Sequence, residues 1–90
     1  MTLRYSARAR TQIDYIFGWL SERNVGAAHD VVSAIAGVLK AVSKWPEMGK
    51  ATEEGDVRVV IVPRYLFRIF YRVEGDTIFV IRVLHPRQER

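Results

Sequence analysis

Apolar residues in the first half of the chain recur at helical intervals. Ile13, Ile16, Phe17 and Leu20 make one stripe, with Tyr15 and Trp19 flanking it four residues apart, and they predict a helix over about 7–23. Ser6 is a suitable N-cap because its hydroxyl can accept a free N–H of the first turn. Ahead of it, Thr2–Tyr5 reads as a short strand with Leu3 and Tyr5 on one side. After a break at Asn24-Val25-Gly26, a second helix is expected over about 27–44, its apolar face made of Ala28, Val31, Val32, Ile35, Val38, Leu39 and Val42. A close helix crossing, or chance, would account for Gly37 in its middle, and Pro46 ends it, since the residue before a proline is pushed out of the α region. The short break between the helices predicts a helical hairpin.

Residues 46–56 are polar and read as a loop, after which the period becomes two. Strands are expected over 57–62, 65–73 and 77–84, with Pro63 between the first two and Glu74-Gly75-Asp76 turning between the last two. The order β-α-α-β-β-β predicts an α+β fold in a single domain, with the helical hairpin on one face of a small, largely antiparallel sheet.

Alternation divides each strand into two sets. Val57, Val59 and Ile61, then Tyr65, Phe67, Ile69, Tyr71 and Val73, then Phe79, Ile81 and Val83 carry no charge. The expectation is that these sets lie under the helices, with Tyr71 a core residue. Arg58, Arg68, Arg72 and Arg82 would then share the opposite face with Val60, Val62, Leu66, Phe70, Ile78, Val80 and Leu84. Such a face is either an ordinary solvated surface on which arginine stems cover apolar neighbours, or a binding surface. The ligands that fit it are an acidic amphipathic peptide and a nucleic acid.

Composition sharpens this picture. The 90 residues carry a net charge of +4, and 49% of them are hydrophobic. Residues 57–90 hold seven arginines against three acids, whereas residues 1–56 are balanced, so the excess lies entirely in the strand-rich part. Arginine suits planar, bidentate contacts with phosphates and carboxylates. There is no cysteine, and His29 and His85 make no metal-ligand motif, so neither disulfides nor a metal or cofactor is expected. The start lacks a basic-then-apolar leader, and no uninterrupted apolar run approaches the roughly 18 residues that span a bilayer. A soluble, cytoplasmic protein is expected.

The loop Pro46-Glu47-Met48-Gly49, Arg58 opening a strand, Phe67-Arg68-Ile69-Phe70-Tyr71-Arg72-Val73 and Ile81-Arg82-Val83-Leu84-His85-Pro86-Arg87-Gln88 together resemble the RelE/ParE toxin superfamily. The helical hairpin with its Asn-x-x-Ala-Ala joint at 24–28 fits too, and the closing stretch is most similar to the ParE branch. The resemblance implies a toxin neutralised by a ParD-like antitoxin, whose amphipathic C-terminal segment wraps around it. It also implies DNA gyrase as the target, or, for RelE-type relatives, messenger RNA on the ribosome. The partner-binding residues expected from face and family together are Arg58, Leu66, Arg68, Phe70, Arg72, Val80, Arg82 and Arg87.

A RelE-type nuclease site would rest on Arg68, Arg58 and His85, with Glu53 or Glu54 as a further base. That site looks incomplete: Pro86 replaces an aromatic residue, and no lysine pair or terminal tyrosine supplies the remaining acid and base. A structural role for His85, closing the last strand, is the stronger reading. His29, Met48, Trp19 and Trp45 read as surface or packing residues. A gyrase inhibitor, a ribosome-dependent mRNA interferase and a plain RNA-binding module are therefore the three functional readings, in that order.

Overall fold

In a computed structural model, which describes residues 1–87, the chain runs β1 (Thr2–Tyr5), α1 (Ala7–Ser21), α2 (Val25–Lys44), β2 (Lys50–Ala51), β3 (Arg58–Ile61), β4 (Arg68–Glu74) and β5 (Thr77–Leu84). Gln88, the last residue of the family-like stretch, and Glu89 and Arg90, which enter the charge count, lie outside the described residues. The two-residue β2 falls in the stretch expected to be loop, and 65–67, expected to be strand, belong to the β3–β4 connection. Both helices form as expected, to within two residues at each end.

The helix starts have local causes. Ser6 Oγ accepts from the Ala9 N–H at 2.9 Å and donates to the Ile81 carbonyl at 2.6 Å, so the cap of α1 is also tied to the sheet. Asn24 Oδ1 accepts from the Ala27 N–H at 3.0 Å and starts α2 at Val25. By length and composition α2 could cross a bilayer, a possibility missed when only uninterrupted apolar runs are sought. Its stripe Ala28, Val31, Ile35, Leu39 and Val42 is instead buried against the sheet. No atom lies within 4 Å of where a Gly37 Cβ would sit, so no close crossing explains that glycine.

The sheet order is β1-β5-β4-β3-β2, with β1 parallel to β5 and every other pair antiparallel. The helices thus carry the chain from one edge of the sheet to the other. Ala9 and Ile16 of α1 join the α2 stripe over Val62, Phe67, Ile69, Val80 and Val83, while Val42, Tyr71 and Ile78 form a second buried cluster.

Strand register corrects two of the expected faces. Tyr71 pairs with Val80 and with Arg58, Ile69 with Val83 and Val60, and Val73 with Ile78. Residues paired across a sheet share a face. The helix side of β4 is therefore Ile69, Tyr71 and Val73, as expected. On β3 the sets are reversed: Arg58 and Val60 lie on the helix side, and Val59 and Ile61 on the outer side. On β5 a bulge shifts the register. Phe70 pairs with Arg82 and Tyr71 with Val80, leaving Ile81 unpaired. Ile78 and Val80 therefore face the helices, where neither exposes any surface, and Phe79 faces outward. Beyond the bulge Val83 faces in and Arg82 faces out, as expected. The extra residue re-aims the end of the strand.

Candidate functional site: the outer face of the sheet

The outer face is assembled from four strands. β3 contributes Val59 and Ile61, β4 contributes Arg68, Phe70 and Arg72, and β5 contributes Phe79, Arg82 and Leu84. β1 adds Arg4, which pairs with Phe79. Sequence reasoning omitted Arg4, although placing Leu3 and Tyr5 on one side of β1 had already put Arg4 on the other. Arg4, Arg68, Arg72 and Arg82 thus share this face, with Arg4 in the role expected of Arg58.

Under these charges lies a small outer core of Val57, Phe70 and Leu84, with Val59 and Ile81 packed against it. Val57 reaches it from the 52–57 loop, which is closed by bonds of its own. Thr52 donates from both its backbone N–H and its Oγ to the Val57 carbonyl, and Val57 N–H donates to Glu54 O. The loop also delivers Glu54, whose Oε1 is 2.5 Å from Arg82 Nη2. Arg82 is only 8% exposed, and its guanidinium lies 4.0 Å from the centroid of the Phe70 ring. Arg72 pairs with Glu74 and lies over Phe79. Arg68 is half-buried, opposite Ile61 on one side and Leu84 on the other.

The remaining expected site residues are dispersed. Val80 is fully buried beneath the helices and cannot touch a partner in this fold. Leu66 is 56% exposed but sits in the turn after β3, in the left-handed region with φ 65°, and Arg64 shares that conformation with φ 75°. Arg87 is exposed beyond β5, its N–H donating to His85 Nδ1 at 3.1 Å. His85 stands edge-on to Phe67, with ring centroids 5.4 Å apart.

Arg58 has a different task. Its Nη1 donates to the Gly49 carbonyl at 2.8 Å and to the Glu47 carbonyl at 3.3 Å, clamping the chain between α2 and β2. Beside it, the Tyr71 hydroxyl accepts from Gly49 N–H at 2.9 Å and donates to the Pro46 carbonyl at 2.7 Å. A Cβ on Gly49 would come within 2.6 Å of that hydroxyl, so only glycine fits. Burial raises the Tyr71 phenol above its ordinary pKa, against smaller lowering effects from the Gly49 N–H and the Arg58 charge. Arg58 and Arg68 therefore lie on opposite faces of the sheet, and the residues proposed for a nuclease site do not converge.

A second feature adjoins the ends of β4 and β5. Thr11, Gln12, Tyr15, Trp19, Phe67 and His85 line much of a groove of about 420 Å³ along α1. Tyr15 is 71% and Trp19 45% exposed there, so they display apolar surface beside the core stripe, and Arg23 stacks 3.8 Å from the Trp19 ring centroid. The sequence signal was present: both residues lie off the Ile13, Ile16, Leu20 line.

Among the solved structures that share this fold are three of toxins or toxin–antitoxin systems. The chromosomal ParDE toxin–antitoxin system of P. aeruginosa aligns with a TM-score of 0.79 at 23% identity, covering 94% of this chain and 95% of that one. The intact E. coli RelBE toxin–antitoxin complex gives 0.71 at 22% identity, covering 99% and 98%. The isolated E. coli RelE toxin gives 0.70 at 20% identity, covering 99% and 87%. No curated protein matches the sequence. Residues 3–90 match the family model of the ParE toxin of the parDE type II toxin–antitoxin system, and the chain belongs to that family.

Proposed function

We propose that this toxin acts in the cytoplasm as a ParE-like, non-enzymatic inhibitor of DNA gyrase, held inactive by a ParD-like antitoxin. The carrying observation is the outer face, where Arg4, Arg68, Arg72 and Arg82 surround exposed or half-buried apolar residues. A surface both cationic and apolar suits an acidic amphipathic segment, with carboxylates on the guanidinium groups and apolar side chains on Ile61 and Phe79. The groove displaying Tyr15 and Trp19 offers a second apolar seat for the same partner. The two neighbouring structures described as toxin–antitoxin systems or complexes support an antitoxin as that partner.

The choice of gyrase over messenger RNA rests on chemistry. Cleavage of RNA needs a base, an acid and a cation converging on one phosphate. Here Arg58 is engaged with backbone carbonyls on the helix side, away from Arg68. The test is a supercoiling assay with purified gyrase and the toxin at micromolar concentration, alongside primer-extension mapping of transcripts after induction. Loss of supercoiling or trapped cleaved DNA, with intact transcripts, is expected. Discrete cuts within codons and unimpaired gyrase would overturn the reading in favour of an mRNA interferase.

A further inference from the structure

Arg82 poses a physical problem that the chain solves with its own loop. A guanidinium that is 8% exposed cannot be left without a counter-charge, because breaking a buried ion pair is far more costly than losing a surface one. Among the described residues the carboxylate that meets it is Glu54, whose own side chain is 51% exposed. The two halves of the pair are thus unequal. Arg82 is fixed by the sheet and by the Phe70 ring, whereas Glu54 comes from a surface loop that turns at Gly55, which has φ 64° and no neighbouring atom within 4 Å of its Cβ position. The same loop lays Val57 on Phe70 and Leu84. One acidic and one apolar side chain of the protein's own loop therefore cover this part of the outer face, in the combination expected of a partner's segment.

We propose that Glu54 and Val57 hold the place of a partner: the Arg82–Phe70 position is a carboxylate-binding site, and an acidic, leucine-like peptide segment takes it by exchange for Glu54. This rests on the reading of the outer face as the antitoxin surface and adds how that surface is kept in the free toxin. Charge complementarity supports a peptide of this kind, since the face also presents Arg4, Arg68 and Arg72. Exchange keeps Arg82 paired throughout, so the incoming carboxylate offsets the loss of the Glu54 contact. A partner competing with Glu54 binds with an apparent affinity reduced by the fraction of molecules in which the loop is in place.

The test uses the full chain and a fluorescent synthetic peptide of leucine and glutamate at helical spacing, read by anisotropy, with single-stranded RNA in parallel. Glu54→Gln is expected to bind the peptide about tenfold more tightly than the native protein, and Arg82→Gln at least about tenfold more weakly. Should Glu54→Gln fail to fold, the Arg82 Nε–H resonance of the native protein reports the same event by shifting as peptide is added. Equal affinities for the native and Glu54→Gln proteins, or an unmoved Arg82 resonance, overturn the exchange. If binding is then still lost in Arg68→Gln, the outer-face reading survives without it; if no peptide binds at all, both fail. RNA, rather than peptide, gaining affinity in Glu54→Gln overturns the peptide as occupant.

Discussion

On the helix side of the sheet, Ile69, Tyr71, Ile78 and Val80 are wholly buried; Ile69 and Val80 pack in one cluster with aliphatic side chains of both helices, and Tyr71 and Ile78 in another with Val42 of α2. On the outer side Phe70 and Leu84 are nearly as dry, yet they lie among arginines and are covered by one short loop. Equal burial is thus reached by different means. The inner face is held by packing between regular elements, which is cooperative and hard to undo. The outer face is held by Val57, Val59 and Ile81, by arginine stems and by the Arg82–Glu54 and Arg72–Glu74 ion pairs. The fold's stability resides mainly on one side of the sheet, and the binding surface proposed above lies on the other.

This contrast is tested most severely by charge. Val80→Asp buries a carboxylate beneath the helices without a partner and should abolish folding, a cost of about 4 kcal/mol or more; circular dichroism showing a native melting transition would contradict the face assignment. Tyr71→Phe, also on the inner side, leaves the Gly49 N–H and the Pro46 carbonyl without their partner. It should cost about 1–3 kcal/mol in denaturant unfolding.

The raised phenol pKa gives the native protein an alkaline signature. Folding favours neutral Tyr71, so its contribution is complete below the unfolded value near 10 and declines as pH rises through the folded value. The stability gap between the native protein and Tyr71→Phe should therefore narrow above about pH 10.

The two kinds of arginine sharpen the comparison. Arg68→Ala on the outer face should leave the melting temperature close to native but weaken antitoxin binding about tenfold or more. Arg58→Ala should do the reverse, losing about 1 kcal/mol of stability through the released Glu47 and Gly49 carbonyls while antitoxin affinity is kept. Identical behaviour of the two variants in calorimetry would erase the distinction. The smallest effect is expected at Leu66, held in a left-handed conformation that a side chain disfavours. Leu66→Gly should gain up to about 1 kcal/mol, and a loss of stability would show that the exposed side chain contributes packing.

Much of the architecture was legible because it is local. The Ile13, Ile16, Phe17, Leu20 spacing, the Ser6 cap, the Pro46 stop and the Gly75 turn act within a few residues, and the elements formed where they pointed. The membership of β4's faces followed from alternation alone. Those of β3 and β5 did not, because apolar residues occupy both parities there, and whichever set is charge-free is a poor guide when an arginine at the sheet margin can reach carbonyls, as Arg58 does.

The amino-acid order by itself determined the helical hairpin, the strand-rich basic third and the α+β class, because helix and strand periods and capping chemistry are properties of neighbouring residues. Tertiary structure alone decided which arginines share a face. A single unpaired residue, Ile81, turns the end of β5 over; the register of β3 against β4 sends Arg58 inward; and β1, docked beside β5, brings Arg4 across from the far end of the chain. The physical reason is that a strand's side-chain period is two, so a one-residue shift in long-range pairing exchanges its faces, and nothing in the local sequence opposes that exchange.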